Sequence, residues 1–420
     1  MSYQFRGYRN TFSSYFPQYG ALLLTGPRQA GKYTLLRHLA KIQWGSGWQA
    51  FSFDTPADIA QFRQDPELFF FNHPGPLLLD EVQNAPDIFP WLKKMLDQNP
   101  GQMRFLLTCS QHFPLKKGVA ESMVGRIATA ELLPFSQREL HTQSSNDIVA
   151  CLQDPAQLET FLGQSFPCSD KDVLPRLLLG GYPEQAMQSL GASWFASYRA
   201  SYLQRDILAT GRVEDIGKFD RFLVLCAGLS GTLPNKANLA DTLSVDAKTI
   251  DHWLSLLEAG YQIFSLPAWS FNTSKRMVKR PKFIFGDSGL GAHLQAIRDM
   301  QAILGAPHFG NLFESWVIAE IRKAFCTTVT PFDAYHWCTS NGQKCDLLLQ
   351  CAGRLIPMEI KHTARPGPND VKGIVAFRRE HRDASWGILF SMNPRVEWVT
   401  QGVLNFPIGL LCSNPDAQAE

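Results

Sequence analysis

A glycine-rich segment near the amino terminus carries residue types that can bind phosphate. It reads Gly26-Pro-Arg-Gln-Ala-Gly31-Lys32 and lies between a short apolar run and a helical pattern. In that context backbone N–H groups can face a phosphate, and the lysine can bridge the β- and γ-phosphates of ATP. The alternative is a glycine-rich turn that arose by chance. The predicted nucleotide-binding residues are Gly26, Pro27, Arg28, Gln29, Ala30, Gly31, Lys32, Tyr33 and Thr34.

Position 33 departs from the usual form of such a loop. The residue after the lysine is normally Ser or Thr, whose hydroxyl binds Mg²⁺, and here it is Tyr33. A phenol is bulkier, and its oxygen lies too far from the backbone to take that place. Thr34 could substitute only if the helix register shifted by one residue. The sequence therefore supports nucleotide binding more strongly than hydrolysis.

Two acidic residues end the apolar run Leu77-Leu-Leu-Asp80-Glu81. In a run of this kind that follows a phosphate-binding loop, the Asp holds Mg²⁺ and the Glu orients the attacking water. The alternative is a buried strand that happens to end in surface acids. After the next apolar run, Ser110 can touch the γ-phosphate or the water, although an ordinary loop serine is an equally good interpretation.

A second set of charged residues lies near the carboxyl terminus. Asp346 follows Lys344-Cys345, and Glu359-Ile-Lys361 occupies the next predicted strand, where alternation places Glu359 and Lys361 on one face. Glu314 lies on a predicted helix. Two such carboxylates can hold Mg²⁺ while the lysine positions water or stabilises phosphorane charge. The alternative is a structural remnant or a binding surface.

A basic stretch follows a predicted helix-turn-helix. Two strand-like segments come after the helices, in the order of a winged helix. Cations there can bind DNA phosphates without sequence preference, although a hairpin used for protein contacts would have the same composition. The predicted DNA-contacting residues are Lys248, Thr249, His252, Lys275, Arg276, Lys279, Arg280 and Lys282.

Composition limits the classes of function. The chain has 420 residues with 40 Lys+Arg against 38 Asp+Glu, so any site for a polyanion must be local. No apolar stretch is long enough to span a membrane and no signal peptide is apparent, so we predict a cytoplasmic protein without membrane association. The nine scattered cysteines lack the Cys-x-x-Cys spacing of zinc or redox sites.

The patterns predict an α/β protein of several domains. Apolar strands that alternate with helices indicate a parallel sheet covered on both faces. We predict an ATP-binding P-loop domain over 1–154, a helical lid over 155–215, a winged helix over 216–292 and a nuclease-like α/β domain over 293–420.

Several segments together resemble one family. They are the phosphate-binding loop, Leu77 to Gln83, Thr108 to Gln111, Glu121-Ser-Met-Val-Gly-Arg126, Glu131-Leu-Leu-Pro-Phe135 and Gly180-Gly-Tyr-Pro-Glu184. The chain resembles the bacterial and archaeal AAA-type ATPases that carry a C-terminal domain of unknown function, and it departs from them at Tyr33 and Cys109.

The resemblance implies further features. Arg126 and Arg205 become candidates for contacting the γ-phosphate, Arg126 either in its own subunit or across an oligomer interface. Self-association is expected by analogy with AAA-type sites. The C-terminal set, Asp346 with Glu359-Ile-Lys361, is similar to the site of a restriction-endonuclease-like fold.

Three functions remain open at this point. The first is a DNA-associated ATPase with weak or conditional hydrolysis. The second is a nucleotide-gated, Mg²⁺-dependent deoxyribonuclease. The third is a nucleotide-dependent switch or scaffold without hydrolysis, which Tyr33 favours.

Overall fold

A computed structural model describes residues 3–98, 102–111, 123, 125–144, 146–208, 213–270, 280–339 and 341–412. Contacts divide the chain into two compact units, one of Met1–Pro134 with Ala259–Tyr261 and the other of Phe135–Glu258 with Gln262–Glu420. The four domain boundaries predicted from the sequence stay predictions. Among the helices of the described ranges, none combines the length and apolar character that a membrane crossing requires.

The amino-terminal unit is built on a five-stranded sheet. Its helices are α1 (Arg9–Tyr15), α2 (Lys32–Trp44), α3 (Pro56–Gln64), α4 (Pro66–Asn72) and α5 (Phe89–Gln98), with 3₁₀ turns at Val82–Asn84 and Pro86–Ile88. Its strands are β1 (Ala21–Thr25), β2 (Gln49–Ser52), β3 (Leu77–Asp80), β4 (Phe105–Cys109) and β5 (Ile127–Glu131).

All strand pairs in this sheet are parallel, in the order β2-β3-β4-β1-β5. Strands β1, β3 and β4 are almost continuously buried, because apolar residues in a parallel sheet are covered on both faces. Because all five strands run the same way, the loop after β1 and the acids at the end of β3 lie at the same carboxyl edge of the sheet. The predicted mixed α/β fold with a parallel sheet is confirmed.

The second unit begins with helices. These are α6 (Gln137–Leu140), α7 (Asn146–Gln153), α8 (Pro155–Glu159), α9 (Asp170–Leu179), α10 (Pro183–Gln188) and α11 (Ala192–Tyr202), followed by a π-helical turn at Leu203–Ile207. Helices α12 (Ile216–Gly228), α13 (Lys236–Leu243) and α14 (Ala247–Ala259) then precede an antiparallel hairpin of β6 (Ile263–Leu266) and β7 (Lys282–Phe285). This order of elements is the one that predicted a winged helix.

The unit ends in a separate sheet of six strands. Helices α15 (Ser288–Leu294), α16 (Met300–Leu304) and α17 (Phe309–Cys326) precede β8 (Phe332–Cys338), β9 (Lys344–Cys351) and β10 (Arg354–Lys361). A 3₁₀ turn (Pro368–Val371), α18 (Lys372–Glu380), β11 (Gly387–Ser391), β12 (Trp398–Thr400), β13 (Val403–Pro407) and α19 (Ile408–Cys412) complete it.

The order of this sheet is β12-β13-β11-β10-β9-β8, with antiparallel and parallel pairs. Helix α17 is buried along most of its length, and its apolar side chains join those of the sheet in one core. The register of β9 and β10 pairs Leu347 with Met358. Because the two strands are antiparallel, Asp346, just before Leu347, and Glu359, just after Met358, lie near each other at one end of the strand pair.

Candidate functional site

The phosphate-binding loop follows β1 and needs glycine at its first position. Gly26 has φ +145°, and a Cβ atom at this residue would lie 2.0 Å from the carbonyl oxygen of Leu132. Leu132 N–H in turn donates to the carbonyl oxygen of Thr25 at 2.7 Å. Gly31, with φ +88°, ends the loop immediately before α2 begins at Lys32. Only glycine fits the first of these two positions, because a side chain would meet backbone atoms.

Lys32 holds its ammonium group inside this loop. Its Nζ donates to the carbonyl oxygens of Gly26 at 3.0 Å and Pro27 at 2.9 Å, and to Ser110 Oγ at 2.8 Å. Burial lowers the pKa of Lys32, while the carboxylate of Glu81 favours its charged form. A buried cation surrounded by neutral oxygens is ready to exchange these contacts for phosphate oxygens.

The two acids after β3 have different surroundings. Glu81 accepts hydrogen bonds from Ser110 Oγ and from Gln83 Nε2. Burial alone would raise the pKa of Glu81, but the Lys32 ammonium and these two donors bring it below its ordinary value. Burial raises the pKa of Asp80, which accepts from Thr108 Oγ1 at 2.5 Å. Lys32, Ser110 and Glu81 therefore form one connected chain of hydrogen bonds.

The second candidate site lies on β9 and β10 of the carboxyl-terminal sheet. Lys361 Nζ lies 3.1 Å from Asp346 Oδ2 and 2.7 Å from Glu359 Oε2. Ile360 N–H donates to Asp346 Oδ2 at 3.1 Å, and Gly373 N–H donates to Glu359 Oε1 at 3.0 Å. The structure thus brings together the two carboxylates and the lysine that the sequence spacing singled out.

Comparison with family models divides the chain into three matched regions. Residues 18–141 match the AAA domain, residues 170–301 match a domain of unknown function (DUF8612), and residues 309–411 match another (DUF4143). The chain therefore contains an AAA domain and a C-terminal domain of unknown function, as the sequence resemblance predicted. The AAA domain contains the phosphate-binding loop, Asp80, Glu81 and Ser110, and the C-terminal domain contains Asp346, Glu359 and Lys361.

Two curated relatives are similar over most of the chain. They are the uncharacterized proteins Rv2008c of Mycobacterium tuberculosis and Mb2031c of Mycobacterium bovis. Each is 29% identical over 345 residues, which cover 82% of this chain and 71% of the relative.

Solved structures to which the chain is similar include RuvB of Thermotoga maritima, with 17% identity and a TM-score of 0.27 over 59% of this chain and 82% of that one. They also include ORC1 of Aeropyrum pernix in complex with DNA, with 13% identity and a TM-score of 0.28 over 72% of this chain and 88% of that one. These scores are low, and the AAA domain is assigned from its family model.

The remaining residues of the loop lie around Lys32 in the AAA domain. Arg28 forms a long ion pair with Asp54, in which Nη1 lies 3.7 Å from Oδ2. Pro27 and Ala30 are buried, whereas Gln29, Tyr33 and Thr34 are exposed. For Mg²⁺, the site offers the Asp80 carboxylate with Ser52 Oγ at 3.4 Å, and position 33 offers a phenol on the exposed side of α2. The donors fit Mg-ATP held through Asp80 and water, without a ligand from position 33.

Of the two arginines predicted to contact the γ-phosphate, Arg126 lies in the same unit as the phosphate-binding loop. Arg126 immediately precedes β5, its carbonyl accepts from Gly20 and Ala21, and its side chain pairs with Asp97 at 2.5 Å. It therefore lies at the amino edge of the sheet, whereas the phosphate-binding loop follows the carboxyl edge. The five residues of β5 place roughly 16 Å between these edges. The predicted role of Arg126 within its own subunit is wrong; a role across a subunit border stays a prediction.

Arg205 belongs to the other compact unit. It is exposed on the π-helical turn Leu203–Ile207. Its predicted role toward the phosphate stays a prediction.

Lys282 was predicted to contact DNA, and this prediction is wrong. Lys282 begins β7, and its ammonium group is buried beside Glu314, with Nζ 2.6 Å from Oε1. Nζ also lies 3.2 Å from the carbonyl oxygen of Asp346. Because both faces of β7 are buried, this side chain joins the carboxylate cluster instead of the basic surface. Glu314, which the sequence placed on a helix, lies on α17 as expected.

The charges in this cluster shift one another. Burial and the neighbouring Asp346 raise the pKa of Glu314 to about 7, against the effect of Lys282. Burial also raises the pKa of Glu359. Burial acts in the same direction on Asp346, but the ammonium groups of Lys361, Lys282 and Lys344 bring its pKa below the ordinary value. Asp346 is therefore the carboxylate that stays ionised most readily.

One atom of the cluster is suited to a cation. Asp346 Oδ1 is buried without a hydrogen-bond partner and lies 3.4 Å from Lys344 Nζ. Within the described ranges, no three His, Cys, Asp or Glu side chains converge into a metal site by themselves. A divalent ion held here would thus use Asp346 and Glu359 and complete its coordination with water, as Mg²⁺ commonly does.

The predicted DNA surface is described in part. Lys248 is exposed on α14 and Thr249 and His252 are half-buried there, while Arg280 is exposed just before β7. The carbonyl oxygen of Arg280 lies 3.1 Å from His336 Nε2. Lys275, Arg276 and Lys279 lie outside the described residues, as does part of the motif Glu121 to Arg126.

Some residues of the two sites were not predicted. Thr108 accepts from Glu81 N–H at 2.9 Å and also binds Asp80, so it fixes both acids. Gly373 lies so close to Glu359 that a Cβ atom there would be 2.5 Å from Oε1. Thr108 could have been predicted to lie near the two acids, because it ends an apolar strand and the carboxyl ends of parallel strands lie at the same edge of a sheet. No sequence signal marks Gly373, which comes into contact only through the fold.

Proposed function

We propose that the chain is a DNA-associated ATPase whose hydrolysis is weak or conditional. The observation that carries this proposal is the buried chain of hydrogen bonds from Lys32 through Ser110 to Glu81. It links the residue that binds phosphate to the residue that orients water. A binding turn without catalytic purpose would not require a buried carboxylate at this place.

Each residue has a distinct task in this proposal. Lys32 binds the β- and γ-phosphates, and the loop N–H groups surround them. Glu81 orients the attacking water, and Ser110 keeps Glu81 and Lys32 aligned. Mg²⁺, when bound at Asp80, neutralises charge on the phosphates.

Hydrolysis is conditional for two reasons. Lys32 is bound by carbonyl oxygens of its own loop, so these contacts must be exchanged when nucleotide enters. Tyr33 also replaces the hydroxyl that would complete the Mg²⁺ ligands in most such loops. Both features slow turnover more than they weaken binding.

The test is phosphate release from ATP, with and without DNA, by wild type, Tyr33→Thr and Lys32→Ala. We expect slow turnover by wild type, an increase of about tenfold in Tyr33→Thr, and loss in Lys32→Ala. Phosphate release that is unchanged by Lys32→Ala would remove the ATPase proposal. Tight ATP binding by wild type without turnover, with turnover gained by Tyr33→Thr, would select the switch or scaffold instead.

Support for the DNA partner comes from the helix-turn-helix and hairpin order with exposed cations. Lys248 and Arg280 are exposed, and Lys275, Arg276 and Lys279 are close to Arg280 in sequence. Removing a cation that binds a DNA phosphate should weaken binding and reduce its salt dependence. Binding of a labelled duplex that is unchanged by Lys248→Ala with Arg280→Ala would contradict this surface.

A second candidate function is a nucleotide-gated, Mg²⁺-dependent deoxyribonuclease. The observation that favours it is the meeting of Asp346, Glu359 and Lys361 on neighbouring strands, with Asp346 Oδ1 left without a hydrogen bond. Plasmid cleavage should require Mg²⁺ and disappear in Asp346→Ala with Lys361→Ala. Cleavage that persists in this variant would come from elsewhere.

A further inference from the structure

The side chain of Lys282 extends from the start of β7 into the C-terminal carboxylate cluster. It is the first residue of β7, and both it and Glu314 expose only 7% of their side chains. The family models place these residues in different regions, Lys282 within 170–301 and Glu314 within 309–411. The cluster therefore draws one of its charged groups from outside the domain that contains the other members.

Two contacts define what the Lys282 ammonium does there. The first, at 2.6 Å, neutralises Glu314, a carboxylate on buried helix α17. The second, at 3.2 Å, binds the carbonyl oxygen of Asp346. An unpaired buried carboxylate would be costly, and the second contact acts on the backbone of the residue that would hold a cation.

The contact of Lys282 with the Asp346 carbonyl is one of three hydrogen bonds that together fix the orientation of Asp346. Ile360 N–H and Lys361 Nζ both donate to Oδ2, and Lys282 holds the carbonyl group. Oδ1 is thereby left free of hydrogen bonds in a buried position. Groups that orient a metal ligand in this way usually change metal affinity when they are removed.

We infer that Lys282 is a positioning residue of a divalent-cation site at Asp346 and Glu359, so that β7 and the carboxylate cluster contribute to one site. This inference rests on the second candidate function. Arg280 is exposed and precedes Lys282 by two residues, so a nucleic-acid phosphate bound by Arg280 would be close to the cation. The ligand class is a divalent cation together with a phosphate backbone.

The test is Mn²⁺ binding by the nucleotide-free, full-length protein, followed by electron paramagnetic resonance. Asp346→Asn identifies the signal of this site. We expect Lys282→Met to weaken that Mn²⁺ affinity about tenfold. Arg221→Met, which removes an exposed cation from α12 elsewhere in the same matched region, should leave the affinity within about twofold.

A double variant separates positioning from a purely structural role. Lys282→Met with Glu314→Gln removes both charges of the buried pair, so folding should be retained where Lys282→Met alone fails. If Lys282 only neutralises Glu314, the double variant binds Mn²⁺ like wild type, and the inference is overturned. If Lys282 positions Asp346, the double variant still binds about tenfold more weakly.

Failure of the inference differs from failure of the proposed functions. Absence of an Asp346-dependent Mn²⁺ signal in wild type would overturn both the inference and the nuclease candidate, and would leave the ATPase proposal intact. An Asp346-dependent signal that Lys282→Met does not weaken would overturn the inference alone. A double variant without cooperative unfolding would contradict the claim that Lys282 offsets the charge of Glu314.

Discussion

Each of the two candidate sites contains a lysine whose ammonium group is buried. Lys32 is bound by carbonyl oxygens and Ser110, and Lys282 by Glu314 and a carbonyl oxygen. Burying such a charge is favourable only with several oxygen partners, so both positions are specified by what surrounds them. We therefore expect that a residue without a positive charge at position 32 cannot bind phosphate. We expect equally that a residue without a hydrogen-bond donor at position 282 cannot hold the Asp346 carbonyl group.

The pH dependence of stability should reveal Glu314. Its pKa is raised to about 7 from an ordinary value of 4.5, mainly by burial. A carboxyl group with a raised pKa contributes stability that is complete below its ordinary pKa and is lost as the pH rises through the folded value. We expect wild type to lose about 2 kcal/mol relative to Glu314→Gln between about pH 5 and pH 8.

Urea unfolding at several pH values measures this difference. Glu159→Gln, which changes an exposed glutamate in the same unit, should give a curve parallel to that of wild type. A Glu314→Gln curve that is also parallel to wild type would show that Glu314 titrates normally in the folded protein.

At the scale of elements, the phosphate-binding loop depends on the contact between β1 and the chain after β5. Gly26→Ala would place a Cβ atom 2.0 Å from the carbonyl oxygen of Leu132, at a φ of +145°. We expect a loss of more than about 2 kcal/mol of unfolding free energy and loss of nucleotide binding.

Gly45→Ala is the matched control for this change. Gly45 also has a positive φ, +61°, but a Cβ atom there would meet nothing within 4 Å. It should cost less than Gly26→Ala, because at Gly45 only the backbone conformation (φ +61°, ψ −116°) opposes a side chain. Equal losses in the two variants, measured by urea unfolding, would contradict the close approach at Gly26.

The elements differ in how far the sequence predicted them. Continuous apolar runs identified β1, β3 and β4, because buried parallel strands need them. Strands β2 and β5 are short and partly exposed, so no such run marks them. In the carboxyl-terminal domain the helix that carries Glu314 and the strand that carries Glu359 and Lys361 were predicted, whereas β12 and β13 were not.

The charged residues follow the same logic. Sequence spacing predicted two groups of charged residues, because residues at the ends of neighbouring strands meet in a sheet. The groups are Lys32 with Asp80 and Glu81, and Asp346 with Glu359 and Lys361. Lys282 lies in a basic run, where a lysine is normally exposed. Its burial depends on Glu314, which is distant in sequence, and on the packing of β7 against α17, neither of which a local pattern contains.

At the scale of the whole molecule, an AAA-type site is expected to need a second subunit. Arg126 is half-buried at the amino edge of the sheet, so a role toward the phosphate would serve a neighbouring subunit. We expect Arg126→Ala to bind ATP normally and to lower turnover about tenfold or more under conditions where ATP promotes self-association. Sedimentation velocity with ATP, combined with phosphate release, measures both effects.

Arg104→Ala is a matched control, because Arg104 also lies at the amino edge, immediately before β4, and its exposed guanidinium binds the carbonyl oxygen of Pro74. It should leave turnover unchanged. Turnover by Arg126→Ala equal to wild type in the assembled state would contradict a role for Arg126 between subunits.

Nucleotide binding at Lys32 is tested most directly by calorimetric titration of the full-length protein with ATP and Mg²⁺. Wild type should take up one nucleotide per chain, and Lys32→Ala should bind at least about tenfold more weakly, because its side chain has no charge to pair with phosphate. Lys41→Ala, which removes an exposed lysine from the last turn of the same helix, should bind like wild type. Equal affinity of wild type and Lys32→Ala, or no uptake by wild type, would contradict nucleotide binding at this loop.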